Sequence, residues 1–205
     1  MKSKILIIFV ISQIIFIIVP SSVFAGDEQN PEITDYENDM FKHPYFHVPY
    51  RSLKAIDILS AWFYENQNET NFLFITIKVV DLNYLFFLRS TYLVEWGHDV
   101  YVYTARLSTQ FLGLYSIAVI QRSYPNKINF ISASFDKENN HVTFNIPKNL
   151  IGNPQPGDIL TRTRVGSSIS TASGYILDFY FALDVAPNYQ ASGKNYIIQF
   201  AGLKT

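Results

Sequence analysis

Aromatic side chains crowd one stretch of this 205-residue chain, and they are the part of the sequence best suited to binding chemistry. Tyr92 and Trp96 share a face at period two, and Tyr101 and Tyr103 do so on the next predicted strand. Such rings can stack on the C–H faces of sugars, but they also form cross-strand pairs in a sheet core. The stretch therefore predicts a carbohydrate platform or a core. We expect the Trp96 side to face the core and the Tyr101/Tyr103 side to face solvent, across a tight turn at residues 97–99.

Charged side chains near these rings could complete a binding surface. Arg106 and Glu95 could hydrogen-bond ligand hydroxyls, or they could simply point to solvent. Arg162 and Arg164 alternate with threonines, so both side chains should point to the same side of their strand. That side is either a solvated face or a contact for an acidic glycan. The candidate ligand-binding residues are four rings and one guanidinium group: Tyr92, Trp96, Tyr101, Tyr103 and Arg106.

Aspartates at predicted strand ends suggest a metal ion. Hard cations such as Ca²⁺ prefer carboxylate and carbonyl oxygens as ligands. Asp81 and Asp184 follow or interrupt apolar strands, and Asp35 and Asp39 lie in an acid-rich stretch near the N-terminus. These residues predict a structural calcium ion with Asp81 or Asp184 among its ligands. The alternative is that they are ordinary turn and cap aspartates.

The composition excludes several other kinds of chemistry. The chain has no cysteine, which excludes disulfides, thiolate metal sites and a cysteine nucleophile. A formal net charge of -1 argues against a nucleic-acid binder held by phosphate contacts. No Gly-x-Ser-x-Gly motif is present. His43 and His47 stand four residues apart, but Pro44 disfavours the helix that would bring them together. We therefore predict a protein that is not an enzyme.

Residues 1–25 have the three parts of a secretory signal peptide. Two lysines precede an apolar run over residues 5–19, and Val23 and Ala25 satisfy the small-residue rule for cleavage. The run is shorter than the roughly 20 residues that a membrane-spanning helix needs, so an uncleaved anchor is the less favoured interpretation. We predict cleavage before Gly26 and a secreted protein without a membrane anchor.

Alternation of apolar and polar residues governs the chain from Ala55 onward. Leu73, Ile75, Ile77 and Val79 form one apolar face, and Thr76 and Lys78 should point the other way. About ten such strands separated by polar turns predict an all-β fold, a single antiparallel sandwich of jelly-roll or immunoglobulin-like architecture. Residues 26–54 read as an irregular leader and residues 55–205 as the sandwich domain. Asn68 begins a glycosylation sequon in one polar turn.

Several short segments carry a family resemblance. They are Asp57-Ile58, Ala61-Trp62, the strand from Leu73 to Leu82, Tyr101-Val102, and the strings IPKNLIG at 146–152 and PGDIL at 156–160. Through them the chain from Ala55 to Phe200 resembles exported archaeal and bacterial sandwiches of the family 9 carbohydrate-binding-module-like, or DOMON-like, type. The resemblance implies a jelly-roll-type sandwich that binds sugars, haem or a structural calcium ion, or that is appended to secreted enzymes.

These observations favour an exported, non-catalytic β-sandwich module that binds carbohydrate or another cell-surface ligand. Two alternatives stay open. The first is a structural or adhesive envelope protein with a protein partner and no small ligand. The second is a hydrolase that acts on envelope glycans through a pair of carboxylates.

Overall fold

The computed structural model describes residues 26–42, 50–82, 89–109, 115–123, 125–170, 180–188 and 191–202. The predicted signal peptide and the His43/His47 pair lie outside the described residues. So does most of the segment 82–89, where the sequence admits a short helix.

The described residues form short strands with two helical turns between them. Along the chain these are β1 (Ile33–Thr34), β2 (Phe41–Lys42), helix α1 (Tyr50–Lys54), β3 (Ile58–Tyr64), β4 (Phe72–Val79), β5 (Arg89–His98), β6 (Tyr101–Thr109), β7 (Tyr115–Arg122), β8 (Lys127–Phe130), β9 (Ser132–Asp136), β10 (His141–Pro147), a 3-10 helix (Lys148–Ile151), β11 (Ile159–Ser170), β12 (Tyr180–Ala186) and β13 (Tyr196–Ile197).

Two antiparallel sheets pack face to face. The first sheet has the order β1-β3-β4-β10-β9, and the second has the order β2-β12-β11-β5-β6-β7-β8, with β13 paired to one end of β11. The predicted all-β antiparallel sandwich is therefore confirmed. The stretch expected to be an irregular leader supplies an outer strand to each sheet, because β1 pairs with β3 and β2 pairs with β12.

The space between the sheets holds the core. Leu73, Ile75, Ile77 and Val79 of β4 are all fully buried, which confirms the predicted inward face of that strand. Thr76 lies on the opposite face and is nevertheless buried, where its hydroxyl group shares a 2.8 Å hydrogen bond with that of Thr143 on β10. Alternation alone thus placed the core side chains of this strand correctly.

The hairpin of β5 and β6 decides which residues the second sheet presents on each face. The strands are joined by a two-residue turn at Asp99 and Val100, with Asp99 in the left-handed region at φ 52°. Trp96 is therefore paired with Tyr103, and His98 with Tyr101. Residues paired directly across two strands lie on the same face. The Tyr101/Tyr103 side thus faces the same way as Trp96, not the opposite way as predicted.

None of the helices among the described residues is long and apolar enough to cross a membrane.

Candidate functional site

The predicted ring platform proves to be part of the core. Tyr92, Trp96 and Tyr103 are 0%, 0% and 1% exposed. The hydroxyl group of Tyr92 donates a hydrogen bond to the carbonyl oxygen of Ala55, and the Trp96 ring stacks on Tyr103 with centroids 5.8 Å apart. These three rings cannot touch a ligand at the surface. As ligand-binding candidates the three are therefore excluded, while the expected inward face of Tyr92 and Trp96 is confirmed. The orientation of Tyr103 was predicted wrongly because the turn was placed at residues 97–99; a three-residue loop reverses the faces relative to a two-residue loop.

Tyr101 is the one ring of the four that reaches solvent, at 40% exposed. It lies beside the turn, where the sheet ends, and its ring meets Tyr103 edge to face at 6.4 Å. Its exposure follows from that position at the margin of the core.

Arg106 lies on the opposite face of the second sheet, where a groove of about 610 Å³ runs across the strands. We call it the arginine groove. Its walls carry the guanidinium groups of Arg106, Arg122 and Arg164 together with Glu95. Small polar and aliphatic residues complete the lining, chiefly Thr91, Leu93, Thr104, Ile120, Asn126, Ser168, Leu183 and Val185.

The strand register explains why these residues meet. Leu93 is paired with Arg106 and with Gly166, so the three form one row across β11, β5 and β6. Arg164, Glu95 and Thr104 form the neighbouring row. Alternate residues of each strand thus line the groove, and their neighbours in sequence, such as Val94 and Ala105, are buried in the core.

Each guanidinium group in the groove is held by a hydrogen-bonding neighbour. Nη2 of Arg122 lies 2.6 Å from Oε2 of Glu95. Nε of Arg106 donates to the hydroxyl oxygen of Ser108 at 3.1 Å, and Nε of Arg164 donates to the carbonyl oxygen of Ala191 at 3.1 Å. These contacts use one nitrogen of each fork. Because a guanidinium group has five N–H donors, one such contact does not exhaust the donors with which Arg106 and Arg122 can bind a planar anion.

Gly166 gives the groove its floor. A methyl group added there would lie 3.4 Å from the carbonyl oxygen of Asp184 and 3.5 Å from the side chain of Leu93. These are ordinary van der Waals distances, so the fold does not require glycine at this position. The missing side chain instead leaves a gap in the row between Leu93 on β5 and Val185 on β12.

Sequence reasoning found Arg106 and Arg164 as candidates but missed Arg122 and Gly166. Arg162, predicted to share a face with Arg164, is not among the groove residues. The pairing of β11 with β5 shifts by one residue between Thr161 and Arg164, and Arg162 adopts φ 54°. A β-bulge of this kind breaks the alternation on which the prediction rested.

Carboxylates gather between the sheets near β1 and β12. Oxygen atoms of Asp35, Asp39 and Asp184 lie within 4.8 Å of one another. Asp184 is buried and accepts a 2.7 Å hydrogen bond from the backbone N–H of Ile58, which links β12 to β3. The side-chain amide of Asn188 donates to Asp35 at 2.8 Å and to Asp39 as well. We call the three aspartates the carboxylate cluster.

The electrostatics of the carboxylate cluster favour a cation. Burial, together with the neighbouring charge of Asp184, raises the pKa of Asp35 to about 7. Burial likewise raises the pKa of Asp184 to about 6, against the hydrogen bond from Ile58. Oδ2 of Asp35 is buried and has no hydrogen-bond partner. Three carboxylates with one orphaned oxygen fit the oxygen donor set that Ca²⁺ takes.

Of the two predicted calcium ligands, Asp184 belongs to this cluster and Asp81 does not. Asp81 follows β4, where its backbone N–H donates to the carbonyl oxygen of Lys54 at 3.1 Å. The partners of Asp184 come instead from the N-terminal stretch. Asn68, the predicted sequon residue, lies exposed in the polar turn between β3 and β4.

Two buried polar pairs elsewhere serve to hold loops. The ring nitrogens of His98 lie 3.2 Å from Oδ2 of Asp158 and 3.3 Å from the carbonyl oxygen of Ile151, so both are engaged. Lys148 binds the carboxylate of Glu65, which also accepts a 2.6 Å hydrogen bond from the backbone of Gln199. These contacts fasten the loop after the 3-10 helix and the C-terminal segment to the sandwich.

Compared with known proteins, the chain matches no family model, no curated protein and no solved structure.

Proposed function

We propose that this protein is an exported, non-catalytic binding module that holds an acidic carbohydrate in the arginine groove. The observation that carries the proposal is the meeting of three guanidinium groups, on β6, β7 and β11, in one groove on an open sheet face. Export is proposed from the signal-peptide pattern of residues 1–25.

The charge of the groove favours an anionic ligand. Two acidic residues line the groove. Glu95 is half-buried and already engaged by Arg122, and the buried Asp184 accepts hydrogen bonds from the backbone N–H groups of Ile58 and Val185. Arg106 is exposed and bound to a neutral hydroxyl group, so its charge is uncompensated by that contact. Guanidinium groups bind carboxylates through two parallel hydrogen bonds, which suits the uronic acid units of an acidic glycan.

An exposed aromatic ring lies beside the groove and favours a sugar over a simple anion. The register places Arg106 opposite Ala118 on β7, and Ala118 opposite Phe130 on β8. Phe130 therefore continues the row of Arg106 on the same face, and it is 83% exposed. Two strand spacings separate the residues, roughly 10 Å, which is about the length of two sugar units. One unit could stack on Phe130 while the carboxylate of another binds Arg106.

Titration of the protein with an acidic oligosaccharide, such as an oligogalacturonate, tests this proposal. We expect weak binding that weakens further with added salt, and no binding of the matching neutral oligosaccharide. Arg106→Gln should reduce the affinity at least tenfold because it removes a charge-assisted pair. Arg162→Gln is the matched control, since Arg162 is exposed outside the groove lining. Equal affinity for the acidic and neutral oligosaccharides, or equal losses in the two variants, would contradict the proposal.

The same face also favours a second candidate, an adhesive protein with a protein partner. β8 is the outer strand of the second sheet, and both Ile128 and Phe130 on it are exposed. An edge strand with exposed apolar side chains can pair with a strand of another protein. Binding to isolated cell envelopes separates the two candidates: protease treatment of the envelopes abolishes it for a protein partner, and removal of acidic glycan abolishes it for a carbohydrate.

For the carboxylate cluster we propose a structural calcium ion. Asp35, Asp39 and Asp184 would hold it, and it would neutralise carboxylates at the seam between the sheets. Its part would be to stabilise the sandwich that carries the arginine groove.

A further inference from the structure

We infer that signal-peptide cleavage completes the fold: the α-ammonium group released on Gly26 forms a partly buried ion pair with Glu32. This inference concerns the N-terminus of the domain and is independent of the ligand proposed for the arginine groove. It starts from two residues that the structure places in contact.

Gly26 and Glu32 are brought together by a tight turn. The side chain of Asp27 accepts hydrogen bonds from the backbone N–H groups of Gln29 at 2.9 Å and Asn30 at 2.7 Å, which folds the chain back on itself. Glu32 immediately precedes β1, and its Oε2 accepts a 2.8 Å hydrogen bond from the backbone N–H of Phe63 on β3. Both Gly26 and Glu32 are buried.

A side chain at residue 26 would require the carboxylate of Glu32 to move away from its present position. A methyl group on Gly26 would lie 2.1 Å from Oε2 and 2.5 Å from Oε1 of Glu32, far inside van der Waals contact. Since the nitrogen of Gly26 is bonded to the same Cα atom, bond geometry places it within roughly 5 Å of that carboxylate. In the uncleaved chain this nitrogen is a neutral amide.

Among the described residues, no full countercharge contacts the Glu32 carboxylate. Burial raises its pKa to about 7, against the hydrogen bond from Phe63 and the more distant charge of Lys194. Lys194 is exposed, and its ammonium group is engaged by the side-chain oxygen of Asn30 at 3.2 Å. The remaining titratable neighbours are Asp27, which raises the pKa of Glu32 further, and Tyr196, whose hydroxyl group donates to Glu65.

Cleavage supplies the missing charge. Hydrolysis of the Ala25–Gly26 peptide bond by a signal peptidase consumes one water molecule, leaves a carboxylate on Ala25 and an amino group on Gly26. That amino group takes up a proton below its usual pKa of about 7.7–8.0. An ammonium group within about 4–6 Å favours the ionised carboxylate and is favoured by it in return. Glycine as the first mature residue thus lets the new ammonium group lie beside Glu32 without displacing its carboxylate.

The experiment compares two chains that contain every described residue. One begins at Gly26 and ends at Thr205, released from a fusion by a protease that leaves no extra residue; the other carries one additional glycine before Gly26. In the extended chain the raised pKa of Glu32 should make stability fall as the pH rises from about 4.5 through 7. In the chain that begins at Gly26 that loss should be reduced, and stability should fall only above about pH 8, as the α-amine loses its proton.

At pH 7.5 we expect the extended chain to melt roughly 3 to 6 °C lower. NMR titration of isotope-labelled Gly26 should give an α-amine pKa about one unit above the usual value. Glu32→Gln should remove the difference in melting temperature between the two chains. Equal melting temperatures across the pH range, together with an ordinary α-amine pKa, would overturn the inference. The NMR measurement and the comparison of the two unsubstituted chains decide it even if Glu32→Gln does not fold.

Discussion

The two faces of the second sheet are built from alternate residues of the same strands and have opposite chemistry. Toward the first sheet, β5 and β6 present Tyr92, Trp96 and Tyr103, which are buried in the core, with Trp96 stacked on Tyr103. Toward solvent, the same two strands present Glu95 and Arg106 in the arginine groove. The rings that could bind sugars therefore stabilise the core, and ligand binding is left to the charged outer face.

This division sharpens what each substitution should do. A change on the inner face should lower the free energy of unfolding and affect binding only through loss of folded protein. A change on the outer face should alter ligand affinity while the melting temperature stays nearly constant. Variants from neighbouring positions on one strand can therefore test the comparison directly.

Trp96→Ala should have the largest effect. The ring is fully buried and contacts Tyr103 and Phe63, with ring centroids 5.8 Å and 6.3 Å away. Its removal should cost roughly 3 to 5 kcal/mol of unfolding free energy because it leaves a cavity in the core. Chemical denaturation measures the loss. If Trp96→Ala kept its stability but bound glycan less well, the ring would be part of a binding platform, and the assignment of the two faces would be wrong.

The carboxylate cluster, which runs from the buried Asp184 to the exposed Asp39, adds a second contrast. In the absence of a cation, the raised pKa values of Asp35 and Asp184 mean that the contribution of these two groups to stability is greatest below about pH 4 and is lost as the pH rises through 6 to 7. Added calcium should reverse the loss. At a free concentration a hundred times the dissociation constant, the gain is about 2.7 kcal/mol.

Thermal melting at pH 7.5 with chelator and with calcium checks this expectation. Asp39→Asn should weaken the response to calcium because it removes one ligand of the cluster. Asp81→Asn should leave the response intact, since Asp81 lies outside the cluster. A melting temperature that does not depend on calcium would contradict the proposed structural calcium ion.

The groove floor offers a smaller test on the outer face. Gly166→Ala adds a methyl group at ordinary contact distances from Asp184 and Leu93, so the stability should change by less than about 1 kcal/mol in either direction. A ligand that lies on the floor should lose roughly two- to tenfold in affinity, as measured by titration calorimetry. Unchanged affinity would place the ligand away from Gly166.

The fold was predictable because the strands alternate regularly. The apolar positions of β4 gave its inward face directly, and the polar turns separated the strands. The faces of β5 and β6 were not predictable in the same way, because they depend on the length of one loop. A two-residue turn at Asp99 and Val100 pairs Trp96 with Tyr103, whereas a loop longer by one residue puts them on opposite faces.

The carboxylate cluster shows a different limit. Asp35, Asp39 and Asp184 were each recognisable as candidate ligands, but Asp35 and Asp39 lie near the other end of the described chain from Asp184. They meet because β1 and β2 join opposite sheets at the edges near β3 and β12. Long-range strand pairing of this kind leaves no local signal in the sequence, so the set of three could not be assembled from spacing.

Tyr101→Ala should have the smallest effect on stability and marks the boundary between the two faces. Tyr101 belongs to the inner face by register, since it is opposite His98, yet it lies at the end of the sheet and is 40% exposed. Its main ring contact is the edge-to-face approach to Tyr103 at 6.4 Å. Loss of an aromatic pair at a half-exposed position should cost about 0.5–1.5 kcal/mol. Chemical denaturation of Tyr101→Ala and Trp96→Ala compares the unfolding free energy lost at the exposed end of this face with that lost at its buried centre. A larger loss of unfolding free energy for Tyr101→Ala than for Trp96→Ala would mean that the core is centred near the turn. The arginine groove would then not lie opposite the main core.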